Sequence, residues 1–150
     1  MEKCESIKLK NQLCFPLYLC SKEIIRKYTP ILNKLDLTYT QYIVMMYMWE
    51  VKKTNVKELG NTILLDSSTL TPLLKKLENK GYIKRERNEI DERNLVITLT
   101  EIGKKLKTKA LDIPEKLKKC VNLDEEDEKK LYNILYKILF NLMEDSYENN

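Results

Sequence analysis

A mostly α-helical fold carrying one small β-hairpin is predicted by three observations. Glycine and proline are scarce, at 3 and 4 in 150 residues, while 43% of the chain is hydrophobic and 33% charged, which suits a helix-dominated globular protein rather than a disordered, collagenous or turn-rich one. Apolar residues recur at helical spacing through most of the chain. Residues 82–86 and 95–99, joined by a charged loop, carry the β-rich pattern of two paired strands. The length suits one domain, residues 1–150, and is too short for two independent cores.

The first long helix is expected over residues 11–34, starting after Asn11 as N-cap and carrying Leu13, Leu17, Ile24 and Tyr28. Pro16 is tolerable near its start, whereas Pro30 should kink it or end its first part. A second helix begins after Thr38 or Thr40 and holds the nearly all-apolar run 42–49, which makes it the most buried one. A short helix at 55–62 is followed by Asp66, Ser67, Ser68 and Thr69, N-cap candidates for a helix that runs to Lys80 and stops at Gly81. Pro72 conflicts with the interior of that helix.

The two short helices have the form of a helix-turn-helix, with Leu70, Leu73, Leu74 and Leu77 packing the inner face of the second. Its outer face shows Ser67, Ser68, Thr69 and Thr71, which can reach phosphates or base edges, and Lys75 and Lys76, which suit phosphates. Taken singly, each of these is more often a cap or a solvated surface residue, and the DNA-reading role gains weight only from the strand hairpin that follows immediately. The hairpin that follows reads as a β-wing, with Lys84, Arg85 and Arg87 leading to a tip that contains Asp91 and Arg93. Arg93 could enter a narrow minor groove while Asp91 holds the loop, although the same residues also make an ordinary charged hairpin with a local ion pair. The whole winged helix-turn-helix spans about 55–100.

Helix resumes after Thr100 and runs toward Ala110 or beyond. The last helix starts at Leu123 or Asp124 and carries Leu131, Ile134, Leu135, Ile138, Leu139 and Leu142 on one stripe. The helices at about 8–36 and 101–145 hold more apolar surface than the winged core can cover, so they are assigned to a homodimer interface. Two-fold pairing would set two recognition helices about one DNA turn apart on a roughly palindromic duplex.

Charge is unevenly placed within a net +4. Residues 75–110 carry +5 and residues 121–150 carry −5, which fits a nucleic-acid surface beside a separate assembly segment. No histidine is present, which removes zinc-hydrolase sites, zinc fingers and histidine-based triads; no metal or other cofactor and no catalytic residue is assigned. Cys4, Cys14, Cys20 and Cys120 contain no C-x-x-C pair, and the spacing does not describe a disulfide-stapled secreted domain. The charged N-terminus and the lack of a run of ~20 apolar residues imply no membrane partner and a cytoplasmic location.

With these elements in place, the chain resembles the MarR family of winged-helix transcriptional regulators, and within it the organic-hydroperoxide sensors of the OhrR type, over residues 8–145. The resemblance is carried by residues 11–15 (Asn-Gln-Leu-Cys-Phe), 37–42 (Leu-Thr-Tyr-Thr-Gln-Tyr), 65–78 including Pro72, and Asp91 to Arg93 in the wing. It implies that Cys14 is the peroxide-reactive thiol, with Tyr28 and Tyr39 as phenolic partners contributed across the dimer. The chemistry is consistent: a thiolate is the nucleophile, and a helix N-terminus favours that form. Phe15, Met45 and Trp49 are expected as apolar neighbours that favour an organic hydroperoxide. Cys120 falls near the resolving-cysteine position, implying an intersubunit Cys14–Cys120 disulfide. Cys20 is expected as a core thiol and Cys4 in a frayed arm.

The function so implied is a redox-sensing repressor, not an enzyme, that binds a palindromic operator when reduced and leaves it when Cys14 is oxidised. Three other functions remain open at this level. They are a related regulator answering another ligand or general thiol stress, a thiol-dependent peroxidase, and a purely structural helical dimer.

Overall fold

The structure is a computed structural model that describes residues 3–87 and 95–148. The chain divides into two compact units, residues 1–117 and 118–150.

The first unit opens with a short helix, α1 (Lys3–Ser6), and a 3-10 turn, Leu9–Asn11, before the long α2 (Cys14–Leu32). The helix expected from Asn11 therefore starts three residues later. The Asn11 side chain is used elsewhere, donating to the Glu5 carbonyl at 2.7 Å, and Leu13 stands at the N-cap without a side-chain cap. Pro30 is carried inside α2 near its end. A 3-10 turn, Asn33–Leu35, then closes on Asp36 in the left-handed conformation (φ 53°), with Leu37 N–H reaching the Leu32 carbonyl at 3.1 Å and Asp36 N–H the Asn33 carbonyl at 3.1 Å. That is the 6→1 and 5→2 pattern of a Schellman stop, with aspartate where glycine is usual.

Helix α3 (Tyr39–Val51) starts from a capping box: Thr38 Oγ1 accepts from Gln41 N–H and the Gln41 side chain accepts from Thr38 N–H. As expected it is the most buried helix, with Val44, Met45 and Met48 fully enclosed. A strand absent from the sequence-based reading, β1 (Lys53–Asn55), follows. Helix α4 (Val56–Ile63) is capped by Asn55, and α5 (Ser67–Asn79) by Asp66, whose carboxylate accepts from Thr69 N–H at 2.9 Å. Pro72 lies within α5. Gly81 at φ +75° ends α5 through a second Schellman stop, with Tyr82 N–H on the Leu77 carbonyl and Gly81 N–H on that of Glu78.

Strands β2 (Ile83–Arg87) and β3 (Leu95–Leu99) pair antiparallel from Ile83↔Leu99 to Arg87↔Leu95, and β1 adds to the other edge of β3 in the order β1-β3-β2. The wing tip, with Asp91 and Arg93, lies outside the described residues. Helix α6 (Glu101–Ala110) starts at Thr100, whose hydroxyl accepts from Gly103 N–H at 3.0 Å and donates to the Gly81 carbonyl at 2.5 Å. The core joins Leu59, Leu70, Leu74 and Leu77 of the helix-turn-helix to Ile83, Ile97 and Leu99 of the sheet and to α3. Helix α7 (Ile113–Val121) contributes buried Ile113 and Leu117.

The second unit holds the end of α7 and the long α8 (Glu125–Glu148). Asp124 caps α8, its carboxylate accepting from Asp127 N–H at 2.8 Å. Leu131, Ile134, Leu135, Leu139 and Leu142 along α8 are all exposed in the single chain.

Candidate functional site

The helix-turn-helix places its polar residues as the sequence implies. Ser67, Ser68, Thr69, Thr71, Lys75 and Lys76 of α5 are exposed, while Leu70, Leu73, Leu74 and Leu77 are buried behind them. The helix start is internally ordered: Ser68 hydroxyl donates to Asp66 at 2.5 Å and Thr71 hydroxyl to the Ser67 carbonyl at 2.7 Å. The Ser68 hydroxyl first, and the Thr69 backbone N–H second, hold the Asp66 carboxyl below the usual carboxylate range.

Arg85 has a different surrounding from the open wing surface that the sequence suggests. Its backbone N–H and its Nε donate to the two oxygens of Glu78, at 2.8 and 2.9 Å, and its side chain is only 19% exposed. The guanidinium thereby ties β2 to the last turn of α5. Glu78 is held below the usual carboxylate range by the Arg85 side chain first and its backbone N–H second. Lys84 pairs with Glu86 at 2.6 Å, and Arg87 is exposed at the end of β2. The i, i+3 and i, i+4 spacings of helical ion pairs do not reveal the Arg85–Glu78 pair, since its members sit on different elements seven residues apart.

Cys14 is the first residue of α2 and is exposed. Near the other end of the same helix, Tyr28 stacks against Tyr39, the first residue of α3, with ring centroids 4.7 Å apart and planes tilted by 46°. The sequence reading missed a third phenol here: Tyr42 lies 5.9 Å from Tyr28 and meets Trp49 edge-on at 6.2 Å. The Thr38 cap sets this arrangement, because it starts α3 so that Tyr39 and Tyr42 fall on one face, three residues apart. Burial, then the neighbouring Tyr39 and Tyr42, pushes Tyr28 up to about 12; burial also raises Tyr39 and Tyr42. All three phenols are therefore O–H donors at neutral pH.

Fourteen residues of one continuous helix separate Cys14 from Tyr28, about 21 Å at 1.5 Å per residue. Thiol and phenols cannot meet within one chain. Met45 is fully enclosed in the core and Trp49 donates its indole N–H to the Gly103 carbonyl at 2.8 Å, so neither lies beside the Cys14 of its own chain. Phe15 is half-buried next to it. Cys20, expected in the core, is exposed instead, as are all of residues 18–27 of α2 among the described residues. Cys120 is exposed in the last turn of α7, before the α7–α8 junction. The side chain of Cys4 lies outside the described residues.

A helix-turn-helix followed by an antiparallel wing, with a solvent-facing cysteine at the start of a helix rich in uncovered apolar residues, defines a winged-helix DNA-binding protein with a candidate reactive thiol. Comparison with known proteins agrees. Residues 26–110 match the family described as "Transcriptional regulator SarA/Rot". The organic hydroperoxide resistance transcriptional regulator of Bacillus subtilis (strain 168) is 46% identical over 137 residues, 91% of this chain and 93% of that protein. The HTH-type transcriptional regulator SarZ of Staphylococcus aureus (strain USA300) is 50% identical over 131 residues, 87% and 88% of the two chains. Among solved structures, reduced AbfR bound to DNA matches with a TM-score of 0.77 at 35% identity, over 94% of this chain and 99% of that one. Disulfide-formed AbfR matches with a TM-score of 0.64 at 35% identity, over 95% and 97%.

The chain belongs to the MarR/SarA family of winged helix-turn-helix transcriptional regulators, related both to OhrR and to SarZ and AbfR. It is a DNA-binding regulator and not an enzyme. Among the described residues no helix is long and apolar enough to cross a membrane.

Proposed function

We propose that this chain is a homodimeric, redox-sensing repressor that holds a palindromic operator when reduced and releases it when Cys14 is oxidised by an organic hydroperoxide. The observation that carries the reading is the separation of the paired Tyr28 and Tyr39 from Cys14 along one helix. A thiol site with phenolic donors can then form only from two copies, the Cys14 of one facing the phenols of the other. The Cys14 thiolate attacks the distal peroxide oxygen, the O–O bond breaks, and the alkoxide leaves as alcohol after taking a proton, which gives a sulfenic acid. The Cys120 thiol of the second copy then attacks that sulfur, expelling water and closing the intersubunit disulfide.

DNA recognition is assigned to Ser67, Ser68, Thr69 and Thr71 at the start of α5, Lys75 and Lys76 on phosphates, Arg87 on the wing, and Asp91 and Arg93 at its tip. Arg85 serves that surface by fixing the wing against α5 through Glu78. The existence of a disulfide-formed state in AbfR and the name of the Bacillus relative support the thiol chemistry and the oxidant, respectively. That SarZ is as similar, under a name that specifies no oxidant, favours a second reading in which the same thiol answers oxidants in general.

Duplex binding by wild type, Cys14→Ser and Cys120→Ser, before and after cumene hydroperoxide or hydrogen peroxide, separates these outcomes. Release of wild type with a Cys14–Cys120 crosslink on non-reducing mass analysis, absent in both variants, is expected. Equal sensitivity to hydrogen peroxide would favour the second reading, and oxidation without the crosslink would exclude Cys120 as the resolving thiol.

A further inference from the structure

Two helix stops face each other in the first unit, and one lysine joins them. Lys80 is the C-cap of α5, one residue before the Gly81 stop. Its ammonium donates to the backbone carbonyl of Asp36, the left-handed residue that ends the α2 turn. The same ammonium pairs with the Asp36 carboxylate at 3.2 Å and donates to Gln41 Oε1 at 3.3 Å. Gln41 is 3% exposed and is the residue whose side chain closes the capping box of α3. One turn away, the Tyr82 hydroxyl donates to the Leu35 carbonyl at 3.3 Å.

The segment held in this way, residues 35–41, is the one that delivers the tyrosine pair. Tyr28 lies on the last turns of α2 before it, and Tyr39 is the first residue of α3 within it. The other end of the connection is the C-terminal cap of the recognition helix. Lysine stems are flexible, but three oxygens converge on this ammonium, and its side chain is only 25% exposed.

We propose that Lys80 is a positioning residue that couples the phenolic half of the thiol site to the recognition helix, so that a shift of Tyr28 and Tyr39 on oxidation moves α5 and lowers operator affinity. The inference rests on the redox-repressor reading. A surface lysine on a recognition helix has one obvious competing role, a phosphate contact, and salt dependence distinguishes the two. Each phosphate contact adds roughly 0.9 to the slope of log affinity against log salt, whereas a latch facing Asp36 and Gln41 adds none.

The test compares Lys80→Met, which keeps the stem and removes the charge, with Asp36→Asn and the rescue variant Lys80→Arg, all as the full chain. Operator Kd is measured before and after cumene hydroperoxide, alongside the rate of Cys14 oxidation and the salt slope of the reduced protein. In Lys80→Met the fold-increase in Kd on oxidation should shrink about threefold or more relative to wild type, within the range by which coupling residues act. Cys14 oxidation rate and salt slope should stay as in wild type, Lys80→Arg should restore the response, and Asp36→Asn should lose part of it. An unchanged oxidation response in folded Lys80→Met and Asp36→Asn, or a salt slope reduced by about one in Lys80→Met, would overturn the proposal. If wild type itself is not released by oxidation, it is the repressor reading that fails, an outcome distinct from either.

Discussion

At the scale of single residues, the structure separates groups that the sequence presents as equivalent. Arg85 and Arg87 are two basic residues of one strand, yet Arg85 is enclosed by Glu78 while Arg87 stays exposed. Glu78 has its carboxyl lowered from its ordinary value of 4.5, so the stabilisation it gives is present above that value and is lost as pH falls through the lowered native one. Thermal unfolding of wild type and Glu78→Gln from about pH 6 to about pH 3 should therefore show a stability gap that closes at the acid end. Tyr28 has the opposite sign. Its value is pushed up to about 12 from 10.0, so the native state favours the O–H and loses that advantage as pH rises through this interval. In an ultraviolet titration, the absorbance step missing from Tyr28→Phe should be the one near pH 12; a missing step near the free-tyrosine value would show that the Tyr28–Tyr39–Tyr42 cluster is open in solution.

At the scale of elements, caps and close approaches decide how the wing meets the helices. Gly103 in the first turn of α6 is 2.1 Å from the Tyr82 carbonyl at the point where a Cβ would stand, and 2.8 Å from Leu99. Nothing in the sequence marks it, because the contact is with a backbone oxygen twenty-one residues earlier. Gly103→Ala should destabilise the fold by at least the ~1–3 kcal/mol of an overpacked core site, measured by chemical denaturation. The Gly103 carbonyl also accepts the Trp49 indole N–H. Trp49→Phe should cost about 0.5–1.5 kcal/mol through loss of that buried hydrogen bond, and a cost near zero would mean that water replaces the indole.

At the scale of the whole molecule, neither half of the proposed switch works in a single chain. One α2 separates its own thiol from its own phenols, and α8 exposes Leu131, Ile134, Leu135 and Leu142 at once. A row of that kind on a helix is covered by another helix in a stable protein. Leu135→Glu should convert the dimer to monomer in light scattering and abolish tight binding to the palindromic duplex, because two half-sites about 34 Å apart need two linked recognition helices. Dimeric Leu135→Glu with undiminished operator binding would place the interface away from this stripe.

Much of this was legible in the order of residues. The stripe of Leu70, Leu73, Leu74 and Leu77, the caps at Thr38, Asp66 and Thr100, the stop at Gly81 and the paired strands around the wing are written in spacings of two to four residues, where helix and strand periodicity act. The assignment of Cys14 as the candidate reactive thiol comes from family resemblance, and its exposure at the start of α2 is what the structure adds. What only the tertiary structure decided depends on residues far apart in the chain: the strand β1 that borrows its partner from β3, the stacking of Tyr42 beside Tyr28, the engagement of Arg85 by Glu78, the joining of Lys80 to Asp36 and Gln41, and the exposure of Cys20. The physical reason is that a cap or a periodic face is satisfied by neighbours along the chain, whereas these contacts depend on how separate elements pack. Local sequence can supply the groups for such contacts but cannot specify which of them meet.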